Sequence, residues 1–145
     1  MARLEFIAPT RRRSPRRGVL LIVVQILAVL AALLHGYIFV LESLRFTEPK
    51  VYAGTFRVER GDLAAVQPWA FNQGWYNLFL AIGTLVGALL LPTLPDAGWA
   101  LVLMGCGSMI AAAAVLVATD RRFVKAALIQ GTLPTLTVVA SLTQI

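Results

Sequence analysis

The sequence predicts an all-α membrane protein, folded as a four-transmembrane-helix bundle. Three observations predict it. Of the 145 residues, 59% are hydrophobic, and the mean hydropathy is +0.79. Only 14% are charged, where soluble domains carry about a quarter. The charges cluster between four long charge-free runs. A soluble fold of this size has nowhere to hide that much apolar surface, so the solvent must be lipid.

The elements follow in order. Residues 1–17 read as a basic, disordered tail, in which Arg11, Arg12, Arg13, Arg16 and Arg17 can touch anionic headgroups. The remainder, 18–145, reads as one transmembrane domain with spans at about 18–42, 70–91, 98–119 and 125–144. Each run supplies the roughly 20 apolar residues that a helix needs to cross the hydrocarbon. Backbone groups in lipid must be satisfied within the segment, which selects helices. The first run is too long for the apolar part of a cleaved signal peptide, and no small-residue cleavage site follows it before a polar domain. Pro68 and Trp69 open the second span. The run from Leu91 through Pro92 and Pro95 to Asp96 is a tight turn into the third, and Asp120-Arg121-Arg122 closes it. Trp69 and Trp75 mark one interface and Trp99 the other, as an aromatic belt requires. The loop from about Arg45 to Gln67 is the sizeable extramembrane piece. Its Glu59–Gln67 stretch is expected to form a short interfacial helix.

The net charge is +6, but its distribution argues against nucleic acid. Six of the 13 basic residues precede residue 18, and most others flank the spans. Lys and Arg beside apolar spans are what topology demands. They do not settle the orientation. The tail side holds six basic residues, and the side of loops one and three holds seven: Arg45, Lys50, Arg57, Arg60, Arg121, Arg122 and Lys125. The dense tail favours the tail and C-terminus in the cytoplasm of a cell (plasma) membrane. Dual insertion as an antiparallel homodimer is the competing reading. The lone Cys106 excludes an intramolecular disulfide and a CxxC redox pair.

Polar side chains inside a span cost free energy unless paired, so each one is a candidate site. Span one carries Gln25 and His35 and ends at Glu42. His35 and Glu42 fall on nearly the same face, about 10 Å apart along the axis. Span two opens with Asn72, Gln73, Tyr76 and Asn77. Gln73 and Asn77 are neighbours one turn apart. Span four carries Gln130, then Pro134, which frees the Gln130 carbonyl. With four spans, His35, Glu42, Asn72, Gln73, Asn77 and Gln130 all lie in the membrane half nearest loop one, and the opposite half is nearly bare apart from Gln25 and a few Thr. The facing part of span three is Ser108 and Ala111–Ala114, small enough for close packing or for a cavity. The plainer reading is that such residues only hydrogen-bond between helices. For Glu42 alone, solvation or a pair with Arg45 would suffice. Gly83, Gly87, Gly105 and Gly107 mark possible helix contacts.

His35-Gly36-Tyr37-Ile38 with Glu42 and Pro49, then Asn72-Gln73-Gly74-Trp75-Tyr76-Asn77-Leu78-Phe79-Leu80, then Gln130-Gly131 with Pro134, carry a resemblance. Over roughly residues 20–145 the chain resembles the bacterial four-helix membrane family catalogued as domain of unknown function 1304. The resemblance implies a four-helix integral membrane protein and no established activity. The Arg-rich tail departs from the family's pattern.

Three functions compete. The first is a binding or accessory module. In it, His35, Tyr37, Glu42, Asn72, Gln73, Tyr76, Asn77 and Gln130 hold a lipid, a quinone or another small amphiphile. The second is a proton-coupled small transporter acting as a dimer. Against it, Glu42 lies near the interface rather than at the midplane, where coupling residues sit. The third is a purely structural subunit of a partner membrane protein. A single His, a single Cys and no acidic pair leave no catalytic triad, no metal cluster and no cofactor to name.

Overall fold

A computed structural model describes residues 15–144, and the tail expected before Pro15 lies outside them. Helix α1 runs Pro15–Phe39 and continues as a π-helical turn, Val40–Leu44. Helix α2 is Leu63–Leu90, α3 is Pro95–Thr119 and α4 is Val124–Ser141, the last entered through a 3-10 turn at Arg121–Phe123. All four are long and apolar enough to cross a membrane. They form a ring in which α1 packs on α2 and α4, and α3 packs on the same two from the opposite corner.

Each helix turns its small residues inward. The buried positions are Val24, Ala28, Ala31 and His35 on α1, then Ala81, Thr84, Gly87 and Ala88 on α2. On α3 they are Gly98, Val102, Gly105, Cys106 and Met109, and on α4 Ala127, Gly131, Pro134, Thr137 and Ser141. Spacings of three and four keep each set on one face. Many of the large aliphatic residues point outward instead, for example Leu33 and Leu89. Lipid is as apolar as leucine, so association gains nothing from burying leucine. It gains from backbones approaching closely over small side chains.

The closest approach joins α2 to α3. A Cβ on Gly87 would stand 2.8 Å from the Val102 nitrogen, and one on Gly98 would stand 2.8 Å from the Leu91 nitrogen. Of the glycines singled out in the sequence, Gly87 and Gly105 make helix contacts. Gly83 and Gly107 have open space where a Cβ would go. The Gly83-x3-Gly87 spacing is therefore not a contact motif: the two share a face of α2, but only Gly87 meets α3.

The turn between α2 and α3 is short. Leu91, Thr93 and Leu94 donate back to Gly87 and Leu90, and Pro95 takes the first position of α3. Proline suits that position because its missing N–H would be unpaired there in any case. At the other end of α3, Asp120 is extended, and its carboxylate accepts from the Arg122 backbone N–H at 2.9 Å. The Arg122 guanidinium, 2.7 Å away, and that N–H hold the Asp120 carboxyl below its ordinary range.

Loop one departs from expectation. The expected helix at Glu59–Gln67 is absent as a separate element. A π-helical segment forms at Lys50–Thr55, and α2 already starts at Leu63. Pro68 thus sits inside α2, not at its start. It leaves the carbonyl of exposed Ala64 without its helical donor, which the aqueous interface can replace. Hydrophobic burial decides the loop's fold. Phe46, Val51 and Tyr52 are buried under Leu41, Phe56, Val58, Leu63 and Val66. The Phe46 and Phe56 rings pack 5.4 Å apart. Such a pair contributes about 0.5–1.5 kcal/mol beyond its buried area. Arg57 adopts φ 59°, and its guanidinium lies 5.8 Å over the Phe123 ring, which ties loop one to loop three.

Candidate functional site

The seam between α1 and α2 at the loop-one end is where the candidate polar residues converge. Gly74 sets it. A Cβ there would clash with the Ser43 hydroxyl and come within 3.1 Å of the Glu42 Cβ. With no side chain in the way, Ser43 Oγ donates to the Phe71 carbonyl at 2.9 Å. Two residues above and below that crossing then meet. Asn77 Nδ2 donates to Glu42 Oε2 at 2.8 Å and, more weakly, to the Gln73 carbonyl at 3.3 Å. Glu42 does not pair with Arg45. That arginine turns outward and binds Glu48 through two hydrogen bonds of 2.8 and 2.7 Å. An exposed partner in water costs less to keep than one drawn toward lipid.

Glu42 Oε1 has no hydrogen bond among the described residues, and it is not sealed from its surroundings. The same two helices also carry an aromatic wall, with Trp75 and Phe79 on the side of α2 away from Asn77. Trp75 packs on Phe39 at 5.2 Å, on Phe79 at 5.9 Å and on Phe71 at 6.3 Å between ring centroids.

The eight candidates divide. Glu42 and Asn77 are joined, and Gln73 contributes its backbone carbonyl. His35 is buried, but its Nδ1 pairs with the Ala31 carbonyl of its own helix at 3.0 Å, not with Glu42. Gln130 is half-buried, one turn before Pro134. Asn72, Tyr37 and Tyr76 face outward, the tyrosines 54% and 56% exposed. The small stretch of α3 also faces elsewhere. Ala111, Ala112 and Ala114 are exposed, and only Ala113 of that run is buried.

Nothing in the sequence analysis singles out the hydroxyls of the core. Thr84, Thr137 and Ser141 are fully buried. Thr137 and Ser141 donate to the carbonyls of Leu133 and Thr137 four residues back. Thr84 Oγ1 points at Gly105 and has no hydrogen-bond partner among the described residues. Its i, i+3 relation to the buried Gly87 and Ala81 is the signal that could have found it.

Four lipid-length helices, small residues at their crossings and a folded loop on one side define a multi-pass four-helix membrane protein. The chain belongs to the family described as "Protein of unknown function (DUF1304)", whose sequence profile matches residues 29–142. That range includes the Glu42–Asn77 seam, the last part of α1 and the whole of α2, α3 and α4. No curated protein and no solved structure matches the chain.

Proposed function

We propose that this protein is a membrane binding module. It holds the polar head of a small amphiphile, such as a lipid or a quinone, at the loop-one end of α1 and α2. The observation that carries the reading is the state of Glu42. Its carboxylate ends a membrane span, one oxygen is fixed by Asn77, and the other is open. An acceptor held in place at the edge of hydrocarbon is a strong partner for a hydroxyl or amine, because the local dielectric is low. Asn72, Gln73, Tyr37, Tyr76 and Gln130 supply further polar groups at the same level, with His35 deeper.

Native mass spectrometry of the chain released from lipid discs tests this, wild type beside Asn77→Ala. The expected result is a defined extra mass on wild type that the variant loses. A second reading, interhelical glue in a structural subunit, is favoured by the same Asn77–Glu42 bond. It predicts bare protein in both samples and a less stable variant. We further assign the chain to the cell (plasma) membrane with both termini cytoplasmic, on the weight of the Arg-rich tail.

A further inference from the structure

A second surface, away from the Glu42 seam, has the features of a lipid site. Helices α3 and α4 diverge toward the lipid and leave an open groove of about 420 Å³ between them. That lies within the roughly 300–1,000 Å³ of small-molecule sites. Ala113 and Gly131 form its floor, where a Cβ on Gly131 would stand 3.1 Å from the Ala113 Cβ. Ala114, Leu128, Thr132 and Leu136 form its walls. The lining is chemically saturated. Thr132 donates to the Leu128 carbonyl at 2.6 Å and Thr135 to the Gly131 carbonyl at 2.8 Å, so neither hydroxyl has a proton to offer a guest. A groove of this kind suits an alkyl chain.

Its mouth is basic. Loop three and the first turn of α4 bring Arg121, Arg122 and Lys125 together with one acid, Asp120, which Arg122 already neutralises. Among the described residues neither Arg121 nor Lys125 takes part in an ion pair. Lys125 and Thr132 lie within about 20° of each other around α4. The cation therefore stands directly above the groove wall. From Lys125 to Leu136 the helix rises about 16 Å, close to the roughly 15 Å of one hydrocarbon leaflet. A second copy fits this face poorly. Gly131 and Ala113 are already spent on the α3–α4 crossing, and Val124, Leu128 and Leu136 protrude from the rim.

We infer that this groove binds one anionic phospholipid of the loop-three leaflet, with an acyl chain between α3 and α4 and its phosphate on Arg121 and Lys125. The inference does not depend on the Glu42 reading. The full chain is placed in discs of equal parts phosphatidylglycerol and phosphatidylcholine, released, and weighed with its retained lipid. Wild type is expected to keep phosphatidylglycerol in preference. The double variant R121Q/K125Q should lose that preference, by roughly fivefold per residue removed. A114W fills the groove from its exposed wall and should lose the lipid of either headgroup. M104W adds the same ring to exposed α3 surface elsewhere and should keep it. The inference is overturned if wild type shows no headgroup preference, if R121Q/K125Q retains it, or if A114W holds lipid as M104W does. A wild-type dimer that A114W splits overturns it too, by showing that a second copy covers the groove.

Discussion

Asn77 Nδ2 lies 2.8 Å from Glu42 Oε2, across the seam where Gly74 lets α1 and α2 touch. Asn77→Ala leaves the carboxylate without its donor. Interhelical hydrogen bonds in bundles average about 0.6 kcal/mol, with a maximum near 1.7, and the loss is expected in that range. Glu42→Gln keeps a carbonyl oxygen for Asn77 to donate to and should cost less. Unfolding in detergent and a double-mutant cycle measure both. If Glu42→Gln proves as damaging as Asn77→Ala, charge rather than the hydrogen bond holds the seam.

The glycines give a contrast within one chain. Gly98→Ala forces a methyl to within 2.8 Å of the Leu91 backbone and should destabilise by about 1–3 kcal/mol. Gly83→Ala meets open space and removes a poor helix former, so it should be neutral or stabilising by up to about 1 kcal/mol. Equal responses of the two variants would refute the α2–α3 crossing described above.

Thr84 is buried with an unpartnered hydroxyl. Thr84→Val keeps the shape and deletes the orphan. It should raise stability by roughly 1 kcal/mol. Thr137→Val removes a hydroxyl already bonded to Leu133 and should bring no gain. A clear loss on Thr84→Val would mean that the hydroxyl has a partner in the membrane, such as a buried water.

Topology is open to labelling. Thr55 in loop one and Arg121 in loop three are both exposed, as is Thr93 in the turn between α2 and α3. Cysteines at Thr55 and Arg121 should react with an impermeant maleimide from one side, and one at Thr93 from the other. Reaction of the Thr55 cysteine from both sides is the signature of dual insertion.

Much of this was legible because lipid imposes one requirement at a time. Each charge-free run of sufficient length falls on one of the four helices, and α2 also takes in Leu63–Trp69 from the loop. Depth was legible only to about a turn, since counting residues from loop one puts Asn77 one turn deeper than Glu42, and the two side chains meet across that step. The inward face was not. In a soluble helix an apolar stripe points to the core, but these helices are apolar all round. Tyr37, Asn72 and Tyr76 could not be told from His35 and Asn77 on that basis, and they proved to face outward. The crossings at Gly74 and Gly98 were missed for a related reason. Glycine is common in membrane helices, and only the three-dimensional seam tells which ones carry a close approach. Loop one hid its own core because Phe46, Val51 and Phe56 follow neither the helix nor the strand period.

Cys106 is the chain's single thiol, and it is fully buried in the middle of α3 beside Val24, Ala88 and Val102. An alkylating reagent can meet it only during the moments when the helices part. When closing outruns the reaction, the rate of modification measures the population of the parted state. The unmodified wild-type chain therefore carries a gauge of its own opening free energy, readable inside an intact bilayer without denaturant.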